Sequence, residues 1–352
     1  MKRHLPLLMT LGMLGPPALA VSYSLSPDVP TMLGGTTYTP WEVVRNDSGQ
    51  YSLALSFPAN TAVDSLHPMC GGHWLISVEV AANLGGDTYD PRDVIRFDPG
   101  AGTYSLFFDG AAAGIPSGSN VDSAFLNGGD TADLILSFDV PTNIGGNVYM
   151  PADLVRHSGG AFSLFFDSTT TTPPVPTSKD VTGADRRGAL TVVSFDVPTN
   201  LDGNVYLPGE LVSWNGAAFA SHNLDPNWPA GSRLAAFAFP ADPGRVPSPS
   251  LRLRKSVTPG NITLTWSAST SAGAEDYGIY QGTIGTWTSH ASITCSTGSA
   301  LTADVTPGTG NRYYLVVPNN RNDEGSYGKR SSGVERPPGS SPCRALQAFG
   351  CP

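Results

Sequence analysis

Two sets of acidic residues recur at equivalent positions along this 352-residue chain. Asp28, Glu79, Asp139 and Asp196 each end a strand-like stretch, and Glu42, Asp93, Asp153 and Glu210 follow, the first three standing three residues before Arg45, Arg96 and Arg156. If the segments that carry them close around an axis, the first set forms a ring. Four carboxylates converging there repel one another unless a hard cation such as Ca²⁺ neutralises them, which makes Asp28, Glu79, Asp139 and Asp196 a candidate metal site. The alternative is that each acid caps a turn or pairs with an arginine of its own repeat. A third constellation, His67-Pro-Met-Cys70-Gly-Gly-His73 with Asp64 as a fourth donor, has a spacing that could hold zinc. Against zinc stands the preference of an extracellular cysteine for a disulfide. There is no G-x-S-x-G elbow, H-E-x-x-H, P-loop or helix-opening G-x-G-x-x-G. A carboxyl pair for glycoside hydrolysis leaves no signature in sequence. Such a pair needs two different environments, however, whereas repeated positions tend to share one. The expectation is a non-enzymatic protein with no assigned catalytic residue.

The elements that position these residues are repeats. LGGTTYTPWEVVR from Leu33, LGGDTYDPRDVIR from Leu84, IGGNVYMPADLVR from Ile144 and LDGNVYLPGELVS from Leu201 align without gaps. Each follows a strand-like stretch, and the first three precede a second apolar run, as in YSLALSF, YSLFFDG and FSLFFDS. LAAFAFPAD, from Leu234, reads as a fifth, incomplete copy of the first strand. Alternation with period two and Gly-Gly or Asp-Gly turns predict short antiparallel strands, and 40 Gly with 31 Pro weigh against long helices. One unit buries too little alone, so the units must share a core. The predicted fold is all-β: a four-unit repeat domain over 21–240, β-propeller-like, with tandem β-sandwiches as the alternative. Tyr38, Tyr89, Tyr149 and Tyr206 are equivalent, as are Pro40, Pro91, Pro151 and Pro208, and both sets read as architectural. Trp41 stands where the other copies have Arg92, Ala152 and Gly209, and Trp214 where they have Asn46, Phe97 and His157. Positions that vary this freely are expected to be exposed, so Trp41 and Trp214 are candidate binding residues for a sugar face or a protein partner, with partial burial under a loop as the alternative.

Lys2 and Arg3, the apolar run Leu5–Leu14 and Ala18-Leu19-Ala20 read as a signal peptide over 1–20, which predicts secretion or display at the cell surface. No later segment is long and apolar enough to span a membrane as a helix. Residues 21–250 carry a net charge of −14, and residues 251–352 carry +3. The acidic part argues against nucleic acid and anionic lipid and leaves cations, sugars and basic protein faces open. Four cysteines allow two disulfides in three pairings. Cys295–Cys343 with Cys70–Cys351 is the favoured arrangement, and Cys343–Cys351 with Cys70–Cys295 competes.

Prolines at 240, 243, 247 and 249 mark a linker over 241–250. Seven strand-like runs follow, from LRLRKS through ITLTWSAS to EGSYGKRSSG, the strand count of an immunoglobulin-like sandwich. On Ile262-Thr-Leu-Thr-Trp266, Tyr314-Leu-Val316 and Gly325-Ser-Tyr-Gly, residues 251–345 resemble a fibronectin type III module of secreted bacterial proteins, followed by a tail over 346–352. The resemblance implies a spacer or binding platform. It departs from the pattern at Cys295 and Cys343, which implies a disulfide variant. The repeats are similar to tandem repeats of uncharacterised secreted bacterial proteins, which implies no activity. Three functions are compatible with these features: a binding or adhesion module for an extracellular glycan or protein, a carbohydrate-active enzyme using paired carboxylates, and a passive spacer. The oligomeric state is left open.

Overall fold

The computed structural model describes residues 21–351 apart from positions 132, 224, 226, 230 and 349, so the expected signal peptide lies outside the described residues. Among those residues every regular element is a β-strand.

Four antiparallel four-stranded sheets make the first part. In blade 2 the strands run, from inside out, Val63–Pro68, Trp74–Val78, Val94–Asp98 and Thr103–Phe108. Blade 3 repeats this with Val121–Leu126, Leu134–Phe138, Leu154–Ser158 and Ala161–Phe166, and blade 4 with Val181–Arg187, Leu190–Phe195, Leu211–Trp214 and Phe219–Asn223. Blade 1 takes Ser22–Pro27, Glu42–Asp47 and Gln50–Ser56 from the start of the repeats and its inner strand, Leu234–Ala238, from their end. The four inner strands pack side by side in a closed cycle. This is a four-bladed β-propeller, and tandem sandwiches are excluded. The segment from Leu234 is therefore not a partial copy of the repeats' first strand. It occupies the inner position that Val63–Pro68, Val121–Leu126 and Val181–Arg187 hold elsewhere, and it closes the ring by pairing Leu25 with Phe237.

The repeated residues make the joints between blades. The second and third strands of each blade are linked by a two-stranded ribbon whose two turn residues both have positive φ: 59° and 87° at Gly34 and Gly35, 54° and 83° at Asp202 and Gly203. That geometry demands Gly-Gly or Asp-Gly. The ribbon tyrosines are buried. The carbonyls of Pro40, Pro91, Pro151 and Pro208 accept hydrogen bonds from the amides that open the next inner strands, Val63, Val121, Val181 and Leu234, at 3.1–3.4 Å. Glu42, Asp93, Asp153 and Glu210 accept from the amides of Thr39, Asp90, Met150 and Leu207, so this second set of acids caps turns. Their repeat arginines bond elsewhere: Arg45 to Glu275, Arg96 to His73, Arg156 to Asp133.

Trp41 and Trp214 are not the exposed platforms that their variability suggested. Trp41 packs on the core shared by blades 1 and 2. The equivalent Ala152 is fully buried, and a side chain at Gly209 would meet Trp228 at 1.9 Å. These positions vary because each junction is filled differently. Trp214 stacks on Phe219 at 4.6 Å and meets the edge of Phe166, as Phe97 stacks on Tyr104 and His157 packs on Phe162. At the corresponding place in blade 1, Asn46 donates instead to the buried Asp225, which Tyr51 also reaches.

The C-terminal part has a three-stranded sheet (Arg252–Lys255, Ile262–Thr265, Thr302–Val305) facing a sheet built on Asp276–Thr283, Thr286–Thr294 and Arg312–Asn319. Leu264, Trp266, Tyr277, Ile279, Val305 and Val316 form the core between them. The seventh expected strand is not there. Among the described residues, Asp323 and Glu324 pair beyond Asn319, Leu346–Gln347 adds to them in parallel, and Lys329 and Glu335 form an isolated bridge. Gly325 and Ser326 turn away to Pro318 and to the carbonyl of Gly244.

This part sits on one end of the propeller. Ser22 and Asn322 exchange two hydrogen bonds, Arg187 faces Asp323 at 3.9 Å, and a side chain at Gly129 would meet the carbonyl of Gly350 at 2.3 Å. Cys70 is joined to Cys351 across 281 residues, and Cys295 to Cys343. Removing the long-range bridge in a Cys70→Ser/Cys351→Ser variant is expected to cost about 2–5 kcal/mol, read as a fall in the guanidinium midpoint. Phe237→Ala, in the strand that closes the ring, is expected to cost about 3–5 kcal/mol in the same measurement.

Candidate functional site

Each inner strand carries a β-bulge at the same place, on Asp64, Asp122, Thr182 and Ala235. A bulge re-aims the extra residue, and here all four line the opening at the uncovered end of the axis. The ring acids Asp28, Glu79 and Asp139 line it as well, and Asp196 lies beside it through Asp180. The result is a cavity of about 350 Å³ ringed by Asp28, Asp64, Glu79, Asp122, Asp139 and Asp180, with Arg233 as its one cationic lining residue.

The four ring acids surround the axis without converging on one point. Asp28 pairs with Arg233 at 2.9 Å, Asp139 accepts from the amide of Asn120 at 2.8 Å, and Asp196 accepts from the amide of Asp180 at 3.1 Å. An arginine and backbone amides thus partner three of the four, Asp28, Asp139 and Asp196. Among the described residues no group of acids, histidines and cysteines has the geometry of a metal site.

Deeper in, the carboxyls are crowded and largely dehydrated. Asn120 Nδ2 donates to Asp64 at 2.5 Å and to Asp122 at 3.2 Å, while Asp180 Oδ1 is buried without a hydrogen-bond partner. Burial pushes the pKa of Asp64 up to about 7, with the charge of Glu79 adding to it. Asp180 likewise rises to about 7 through burial. Asp122 is raised well above the usual carboxylate range by burial and then by the charge of Asp180.

The His-Cys-His cluster does not assemble. Cys70 is in its disulfide, His67 faces Asp185 at 3.7 Å, His73 faces Asp98 at 3.4 Å, and Asp64 belongs to the opposite end of the same inner strand. Sequence reasoning missed Asn120, Asp122, Asp180 and Arg233 as members of the axial site. The triplets Val63-Asp64-Ser65 and Val121-Asp122-Ser123, before the second strands of blades 2 and 3, were the available signal.

No family model matches this chain, and no curated protein matches it. Solved structures that it matches include "YCF48 bound to D1 peptide" (9% identity, TM-score 0.28, 66% of this chain and 57% of that one). Others are the extracellular domain of a putative hybrid two-component system from B. thetaiotaomicron (8%, 0.28, 85% and 41%) and the β-propeller domain of Cps50 (Swd1) from Myceliophteria thermophila (11%, 0.24, 73% and 64%). The chain spans about half the length of these proteins. The propeller assignment rests on the strand order and ring closure described above.

The raised carboxyl pKa values fix the sign of a pH effect. Ordinary aspartates ionise near 3.8, while Asp64 and Asp180 ionise near 7 in the fold. The folded state therefore holds extra protons between these limits, and stability falls as pH rises through them. Asp122→Asn removes a share of this penalty. Its Tm is expected to exceed that of the parent by a few degrees at pH 8 and by much less at pH 4 in calorimetric scans.

Proposed function

We propose that this protein is a secreted or cell-surface binding module that engages a basic group of an extracellular protein at the acidic opening of its propeller. One observation carries the reading: carboxyls are held dehydrated against one another around an open cavity, at a cost in stability. Burial opposes the ionisation of Asp64, Asp122 and Asp180, so above pH 7 their charge works against folding. A cationic ligand would recover that cost by drawing off their protons and pairing with the carboxylates. The two disulfides, which persist in oxidising compartments, support secretion. The fibronectin type III-like module, in this reading, serves as a platform that covers the far end of the axis.

A carbohydrate-active enzyme is the second reading, favoured only by the presence of carboxyls with raised pKa values in a cavity. Raised pKa values of neighbouring carboxyls do not by themselves make the pair of distinct environments, roughly 5–9.5 Å apart, that glycoside hydrolysis needs. A glycan-binding role with Trp41 and Trp214 as the contact has less behind it, because both rings are half-buried, Trp41 against the core of blades 1 and 2 and Trp214 against Phe166 and Phe219.

A tetralysine peptide is expected to bind with an affinity that rises at least several-fold from pH 6 to pH 8 and falls about tenfold in Glu79→Gln/Asp139→Asn, measured by calorimetry. Absence of binding in the parent, or binding indifferent to both pH and the substitutions, would remove the proposal. Turnover of a glycan panel, abolished in Asp122→Asn, would replace it with the second reading.

A further inference from the structure

The C-terminal sandwich is short of a strand, and the place where that strand would lie is a groove of about 650 Å³. Arg312–Asn319 pairs along its whole length with Asp276–Thr283 on one side, but on the other it pairs only at Asn319. The carbonyl of Pro318 points to that second side, where it accepts from the amide of Gly325 at 2.8 Å. Because backbone groups alternate along a strand, Val316 and Tyr314 present their N–H and C=O groups on the same side as Pro318. Among the described residues no loop, strand-pairing or side-chain hydrogen bond reaches those groups. The chain that could have covered them departs at Gly325 and Ser326 toward Gly244.

The wall opposite this open edge is the segment 245–251. Val246 and Leu251 pack against the core that Val316 belongs to, so the groove opens onto apolar side chains. Its charged lining residues are Arg245, Lys329 and Arg336, with no acid among the lining. None of the three forms an ion pair with a described residue. The Arg336 guanidinium makes one long bond, at 3.4 Å, to the carbonyl of Trp287.

We propose that this groove takes an extended acidic segment of another polypeptide, which adds to the sandwich as a strand alongside Tyr314–Val316. The open edge supplies main-chain hydrogen bonds, the apolar floor takes alternate side chains, and the three cations select acidic residues along the rim. An extended chain is the occupant that matches a row of unpaired amides and carbonyls. Charge complementarity sets its sign. The site is on a different part of the molecule from the axial opening and takes a ligand of opposite charge, so either can fail without the other.

The probe is an N-acetylated, C-amidated peptide of alternating glutamate and valine, seven residues long, used with the full mature chain. Its controls are the lysine–valine counterpart and a version with proline at the central valine. The acidic peptide is expected to bind, to slow hydrogen exchange at the Tyr314 and Val316 amides, and to weaken as salt is raised. Arg245→Glu/Lys329→Glu is expected to reduce affinity at least tenfold, and Arg245→Ala/Lys329→Ala, which adds no repulsion, to reduce it less. Unchanged circular dichroism and Tm would show that both variants fold. The inference is overturned by any of three results: equal binding of the lysine peptide, equal binding of the proline peptide, or protection at amides elsewhere. It is also overturned if the parent dimerises through this edge, with Tyr314 and Val316 protected in the dimer and the peptide excluded, because the occupant is then a second copy.

Discussion

Closure of the propeller depends on one strand pairing, that of Ser22–Pro27 with Leu234–Ala238. Three blades are built from contiguous chain, and the first is shared between the two ends of the repeat region. Until the last inner strand arrives, blade 1 has an unpaired edge and the ring has a gap. The pairing therefore converts four similar units, none large enough to bury its own core, into one closed core. It also couples the chain's earliest strand to its last repeat strand, so the folded ring cannot fray from one end without opening a blade. The loop-closure entropy of bringing these ends together is spent once, and every blade junction then contributes to holding it.

The closed ring dictates where polar residues can go. The junction serines lie against neighbouring blades, with Ser77 donating to the carbonyl of Val121 at 2.6 Å and Ser137 to that of Val181 at 3.1 Å. Small side chains are required near the axis. At Gly183 even a Cβ would approach the ring of Phe237 to 2.9 Å. The bulges lie at the end of the axis away from the C-terminal part, where they aim Asp64 and Asp122 into the opening. Crowded carboxyls at the mouth are the consequence of four-fold geometry acting on two aspartates that bulges aim inward. At the far end the C-terminal tail covers the axis, held by Cys70–Cys351 and by the bond from the amide of Gly350 to Asp242 at 2.6 Å. One end of the ring is thus covered and covalently fastened, and the other is open and acidic.

Both the open mouth and the open strand edge are places where the fold leaves polar groups without their usual partners. At the mouth the groups are carboxyls that repel one another. At the sandwich edge they are main-chain donors and acceptors beside three cations. The two surfaces have opposite charge, in keeping with the split between an acidic repeat region and a mildly basic C-terminal part. A partner for one would be repelled by the other, which favours two distinct ligands over one that wraps the molecule.

The sequence alone determined the all-β class, the four repeats and the ribbon turns, and it left turn capping as one of several readings of the repeated acids. These depend on local chemistry: Gly-Gly and Asp-Gly are the residues that tolerate positive φ at both turn positions, and period-two alternation marks strands wherever one face is buried. It set Asp28, Glu79, Asp139 and Asp196 around an axis only on the condition that the repeats close into a ring. Three things were decided only by tertiary structure. The inner strands escaped notice because VDSLHP, VDSAFL and VTGADRR have no alternation to display: they are buried on nearly all sides, and their character comes from neighbouring blades. Trp41 and Trp214 were misplaced because variation between repeats reports the volume left at a junction as readily as exposure. The acids acquired their raised pKa values, and Arg233 its place among them, through distances that no spacing along the chain encodes, since burial and charge act through space and the ring brings together residues more than 200 positions apart.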